Sequence, residues 1–440
     1  MAIAGQLLVY LLTLLLARWL GVDGFDDYAV ASAVFMLGVG VAGLGSEKYA
    51  LRILPVLLER GDWRRTRGYL RFGVRRGLRC ALVMSIGVAL LAVALGDRLQ
   101  PSTRLAIIVA SFALPLGAAV HFGLEALTAI GREIVASAIF RIAVPATALV
   151  CAFGLTAWRG ELEGLGAVAC WGPAWALAAV SMAIATRRGL PAPVFQATPL
   201  VEAGPWRAAS RPFFYYRLSL GLLGHSGLIA LVLLKASPAE IGSFAAAAST
   251  TALITVLATA TNRAYGRRLS LLLERQDDRG MQAMARDRLR WLLPPIALFM
   301  ASCLFFGRDL LRLFAPEFAE RGTAALLMLS ASASLAVLLA LAPTTLKYLR
   351  RERATYTIIG CAALLQALGL WMLVPRFGAA GAAAAYLMSI SLMYGGSACL
   401  ARAELATLRK AWRTSRWMQN YLAKLVISAD TLRPGLWQNG

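Results

Sequence analysis

The chain has 440 residues, 59% of them hydrophobic and only 15% charged, with a mean hydropathy of +0.65. Soluble domains hold about 45–50% apolar and about 25% charged residues, and a globule this size cannot hide so much apolar surface. A water-soluble fold is excluded, and the sequence reads as an all-α integral membrane protein. Lys and Arg number 45 against 23 Asp and Glu, a formal charge of +22. A nucleic-acid binder gathers such an excess on one polar face. Here it falls in short clusters between apolar runs, so no nucleic acid is expected as a partner. Cys80, Cys151, Cys170, Cys303, Cys361 and Cys399 lie in apolar stretches without CxxC spacing. They read as small buried hydrophobes, with neither a metal nor any other cofactor implied.

A span needs roughly 20 apolar residues. About twelve such windows follow one another, near 2–20, 28–50, 77–96, 105–130, 134–156, 164–186, 213–234, 241–262, 291–307, 323–346, 354–374 and 381–401. The chain starts apolar at Ala2, with no basic leader and no small-x-small cleavage site, so no signal peptide is read there. The missing polar leader is the pattern expected if the start lies upstream. With the N-terminus inside, the inner segments hold 33 Lys and Arg and the outer loops 9. This split predicts a bacterial inner-membrane protein with both ends cytoplasmic.

Two six-helix lobes are expected, over 1–186 and 213–401, joined by a Pro-, Gly- and Ala-rich cytoplasmic linker at 187–212. The basic tail at 402–440, with Trp412, Trp417 and Tyr421, reads as an interfacial amphipathic helix. The halves resemble each other at an offset of 215, which pairs Arg52 with Arg267, Leu57-Leu58-Glu59-Arg60 with Leu272-Leu273-Glu274-Arg275, and Asp62 with Asp277. GVDGFDDYAVASA in the first hairpin matches ASPAEIGSFAAAAS in the seventh span region, and GELEGLGAVA matches PRFGAAGAAAA. An even number of spans per repeat gives both halves one orientation. That is the plan of transporters that rock two lobes around a central cavity.

Three stretches resemble a known family. RWLGVDGFDDYAV is similar to the R-x-LG-x-x-x-F/Y-G-x-Y turn of bacterial polysaccharide flippases, although Asp26 stands where they usually have Gly. GRDLLRLFAPEFAERGTAALLMLS resembles their L-x-LF-G-x-x-F/Y loop, and LVPRFGAAGAAAAYLMS their P-x-Y/F-G-x-x-GAA turn. These are the O-antigen and capsule flippases of the multidrug/oligosaccharidyl-lipid/polysaccharide exporter superfamily. The resemblance implies translocation of a polyprenyl-diphosphate-linked oligosaccharide from the inner to the outer face by alternating access. It also implies membrane lipids, a polysaccharide polymerase and a chain-length regulator as partners. A multidrug-type cation antiporter of the same superfamily is the alternative, and a membrane polymerase or ligase a further one. No HExxH, Walker A or GxSxG motif points to an enzyme.

Ionisable groups inside spans are costly and default to function. Lys48 and Arg52 at the inner end of span 2, and Arg263 and Arg267 at that of span 8, form i, i+4 pairs related by the repeat. In the resembled fold spans 1, 2, 7 and 8 line the cavity. The four cations would then meet a diphosphate at its mouth, with Arg217 in span 7 facing the cavity or the inner interface. Ordinary lipid-phosphate anchoring is the alternative. Glu125 in span 4 and Arg141 in span 5 lie at equal depth either side of the turn at 131–133, and read as a buried ion pair or as a protonation site coupled to an ion gradient. His121 and His225 read as core histidines, and Lys347 as a snorkelling cation.

Overall fold

The computed structural model describes residues 2–410, apart from the side chains of residues 2, 97, 259 and 263. The tail beyond Lys410, and so most of the expected interfacial helix, lies outside the described residues. No strand occurs among them. The helices are α1 (Ala2–Ala42), α2 (Ser46–Glu59), α3 (Trp63–Ala94), α4 (Pro101–Phe112), α5 (Leu114–Ala129), α6 (Glu133–Ala138), α7 (Val144–Arg159) and α8 (Gly164–Ala169). They continue with α9 (Trp171–Gly189), α10 (Ala192–Gln196), α11 (Ala203–Leu233), α12 (Pro238–Glu274), α13 (Asp278–Arg312), α14 (Pro316–Leu339), α15 (Leu341–Tyr348) and α16 (Glu352–Ile390). Single π turns occupy Ile139–Ala143 and Ser391–Gly395, and helix runs on through 396–410.

Nine helical stretches among the described residues are long and apolar enough to cross a bilayer, and the α4–α5 pair, bent by 48°, makes a tenth. Two of the ten are hairpins. α1 breaks at Gly21 (φ 65°, ψ −167°) and α16 at Gly378 (φ 51°, ψ −126°), backbone that L side chains resist. In α16 the limbs run back to back: a Cβ built on Gly369 lies 3.0 Å from that of Ala385, and one on Gly381 lies 2.3 Å from the carbonyl oxygen of Leu373. In α1, residues 5–13 and 25–36 line one cavity from both limbs. With each limb counted, the described residues make twelve crossings, in agreement with the hydropathy windows. The chain is a multi-pass membrane protein.

The outer surface fits lipid. Trp158, Trp291 and Trp371 are 78%, 76% and 71% exposed, and α3 presents Val83, Ile86 and Leu90 outward. Left in water, each such side chain would forgo about 1.5–3 kcal/mol of burial free energy; hydrocarbon removes that cost.

The repeat recurs in backbone detail. Asp62 caps α3 by accepting from the Arg65 amide, and Asp277 caps α13 by accepting from the Gly280 amide. Each follows a left-handed residue, Gly61 (φ 66°) and Gln276 (φ 53°). The turns at 61–62 and 276–277 lie at one end of the bundle with Arg132, Arg350 and Arg351, hereafter the basic end.

Two expectations are corrected. Span 2 does not run to residue 50: it ends at Ala42, and Leu44 (φ 49°) and Gly45 (φ 76°) turn the chain into the separate helix α2. Its partner α12 runs unbroken to Glu274, so Lys48 and Arg52 stand on a different kind of element from Arg263 and Arg267. The stretch 187–212 is built into the fold. α11 already begins at Ala203, the Leu200 amide bonds to the Arg64 carbonyl, Arg65 pairs with Glu202 at 2.8 Å, and Trp206 packs against Tyr69 and Phe72.

Candidate functional site

The hairpin α1, the π turn before α7, and helices α9, α11 and α12 enclose a cavity of about 510 Å³. One wall is aromatic. Tyr28 and Phe35 from the second limb of α1 meet Trp171 of α9 at 5.5 and 5.2 Å between ring centres, and Phe35 meets Trp175 at 5.0 Å. The seven-residue step from Tyr28 to Phe35 and the four-residue step from Trp171 to Trp175 put each pair on one helical face. The facing wall is made of small residues of α11 and α12, including Gly224, Ala245, Ala248 and Ser249, with His225 among them. Among the described residues no carboxylate lines the cavity.

Among the described residues its one guanidinium is Arg141, half-buried in the π turn. Gly5 brings α1 against that turn: a Cβ built there lies 2.6 Å from the Cβ of Arg141 and 2.9 Å from its carbonyl oxygen. Among the described residues no carboxylate pairs with Arg141. The expected Glu125–Arg141 pair is absent, because Glu125 is taken by the Lys48 ammonium. Equal depth on neighbouring helices set the height of the two groups but not their azimuth, and the π turn rotates Arg141 away from α5 and toward the cavity.

Toward the basic end lies a charge-balanced set. Glu47, 2% exposed, faces Arg217 at 3.6 Å, an ion pair too long for a hydrogen bond. Beside it is the Lys48–Glu125 pair, whose side chains are 29% and 12% exposed. Two acids and two bases thus cancel, and Arg141, the guanidinium of the cavity lining, has no carboxylate partner among the described residues. His121 packs edge-on to Phe140 at 5.0 Å, with its Nε2 buried and unbonded. His225 lies in the cavity wall rather than in a core.

The remaining predicted cations have separate surroundings. Arg52 donates to Glu352 of α16 at 3.0 Å and lies over the Phe213 ring at 5.0 Å, which bridges the first and second halves of the chain. Arg267 is exposed, and the side chain of Arg263 lies outside the described residues. Lys347 sits over the Tyr216 ring at 4.5 Å. Asp26, where the flippase turn usually has Gly, is 2% exposed and accepts from the Asp27 amide at 2.7 Å. At the opposite end Phe25 meets Phe318 at 5.8 Å and Arg18 donates to the Leu313 carbonyl at 2.7 Å. The halves therefore touch both above and below the cavity. The aromatic wall was missed by reading for charge alone, although its spacings were visible.

No protein-family model matches the chain, and no curated protein matches it. Solved structures do. The chain is similar to an inward-facing multidrug resistance MATE family transporter of the MOP superfamily (TM-score 0.65, 14% identity, 92% of this chain and 96% of that one). It is similar to the lipid II flippase MurJ in its inward closed conformation (TM-score 0.66, 11% identity, 98% of each chain). It is also similar to the MATE multidrug transporter DinF-BH (TM-score 0.61, 16% identity, 91% of this chain and 92% of that one). At these identities the likeness is one of fold, and the fold of this chain is that of these membrane transporters.

Proposed function

We propose that the chain is a flippase that moves a polyprenyl-diphosphate-linked oligosaccharide across the bacterial inner membrane by alternating access, with both ends cytoplasmic. The observation that carries the reading is the central cavity: an unpaired guanidinium, no carboxylate, and an aromatic wall. An anionic diphosphate entering a low-dielectric space needs a fixed positive partner. The C–H faces of sugar rings pack on aromatic rings, whose faces are electron-rich. The flippase-like turns and the fold shared with a lipid flippase support the same reading. An exporter of cations would need acidic groups in this cavity.

In this reading Arg52, Lys48 and Arg217 hold carboxylates while the basic end is closed. The diphosphate competes for them, and for Arg263 and Arg267, when that end opens, and then passes to Arg141. Deleting the gene is expected to abolish a surface polysaccharide while lipid-linked repeat units accumulate at the inner face. Restoring the chain with Arg141→Ala should leave its level normal and lower export about tenfold or more, and Arg141→Lys should recover part of it, since Lys lacks the planar fork. Normal surface glycan in the deletion strain, or full export by Arg141→Ala, would sink the assignment.

A further inference from the structure

Outside the central cavity, at the basic end, α3 and α11 frame a groove of about 630 Å³. Arg71, Arg75 and Arg79 fall on one stripe of α3 at four-residue steps, Arg76 stands beside them, and Arg207 faces them from α11. Among the described residues no carboxylate lines the groove. None of the five forms an ion pair or a side-chain hydrogen bond among the described residues, and Arg76 Nη1 is buried without a partner. Three arginines at the same end, Arg65, Arg52 and Arg351, each hold a glutamate instead. Five like charges held together repel one another unless an anion joins them.

Farther along α3 the same helix, with α1 and α11, forms a second hollow of about 240 Å³ walled by apolar side chains alone, among them Val34, Met84, Val88, Leu91, Ile229 and Leu233. Arg79 and Leu91 are about 18 Å apart along the helix axis. An anionic pocket-filler at the membrane interface and a long apolar chain running into the bilayer would occupy the two together. A phosphodiester lipid brings one negative charge to five guanidiniums; a diphosphate ester brings two or more, and its oxygens suit paired forks.

We propose that this groove is a lateral docking site for a prenyl diphosphate lipid, with the diphosphate among Arg71, Arg75, Arg76, Arg79 and Arg207 and the chain in the apolar hollow. It rests on the flippase reading for its role: the lipid docks from the inner leaflet before its head enters the cavity. The way in is held by α1 against α11, where Arg217 lies beside Gly40 and Leu37 beside Gly221. Parting that contact would pass the head from Arg207 to Arg217 along one helix.

The test uses the purified full chain in detergent, probed with geranylgeranyl diphosphate, inorganic diphosphate and dioleoyl phosphatidylglycerol. Geranylgeranyl diphosphate should bind tightest, and Arg75→Gln/Arg79→Gln/Arg207→Gln should weaken it about tenfold or more while elution and thermal stability stay wild-type. Val88→Trp, which fills the hollow, should weaken the prenyl probe and leave inorganic diphosphate unchanged. Undiminished binding in the triple variant would overturn the site, as would equal binding of the phosphatidylglycerol. A deletion strain with normal surface glycan, beside a groove that still binds the prenyl probe, would overturn the flippase reading and leave the docking site standing.

Discussion

Lys48 and Glu125 carry the clearest energetic statement at the residue scale. Their side chains are mostly buried, and each neutralises the other. Removing one partner of a buried pair costs about 3–5 kcal/mol, because the survivor is left uncompensated, whereas removing both can be close to neutral. Lys48→Met and Glu125→Gln should each lower the melting temperature in detergent, and the double variant should recover most of the loss. Additive losses in the double variant would show that the pair contributes nothing as a pair. The sequence marked Lys48 as a candidate charge but placed it inside span 2, whereas it stands on the separate helix α2. Its partner Glu125 was not legible, since partner choice depends on rotation about the helix axis, which spacing within α5 does not reveal.

The hairpin α1 and the π turn at Ile139–Ala143 act together at the scale of elements. The extra residue in the π turn changes the face on which Arg141 emerges, and Gly5 lets α1 come close enough to wall it in. A larger side chain at position 5 meets backbone, not a flexible tip, so neither helix can yield cheaply. Gly5→Leu is expected to lower export severalfold with a modest fall in membrane abundance, and Gly5→Ala to do so less. Wild-type export by Gly5→Leu would mean that α1 need not pack on the Arg141 turn during transport. Hydropathy located both elements, but a π turn has no sequence signature that separates it from ordinary helix.

Over the whole molecule, the halves meet through Arg52–Glu352 at the basic end and Phe25–Phe318 at the other. If the halves rock about the cavity, these contacts must part in turn. Holding the basic end shut should therefore stop transport. Arg52→Cys/Glu352→Cys joined by a short bismethanethiosulfonate is expected to abolish export, and a reductant to restore it to the level of the unlinked double variant. Export by the linked protein at the unlinked rate would exclude opening at this end. The contact was out of reach of sequence reasoning, which paired Arg52 with Arg267 by the repeat and had no means of bringing Glu352, 300 residues away, beside it.

The sequence by itself determined what depends on local composition and period. Apolar runs long enough to span set about twelve crossings, whereas the reversals at Gly21 and Gly378 inside continuous helices came from the structure. The 215-residue offset marked Asp62 and Asp277 as equivalent, and they cap equivalent helices. Tertiary structure decided which charges are spent on one another and which are left over. Glu47, Lys48, Glu125 and Arg217 cancel only because the helices that carry them turn them inward at one height. Arg141 and the groove arginines Arg71, Arg75, Arg76, Arg79 and Arg207 have no ion-pair partner among the described residues, because no carboxylate there lines the spaces they face. A charge in low dielectric is governed by its neighbours within a few ångströms, and those neighbours are set by helix rotation and packing, which one-dimensional spacing leaves undetermined.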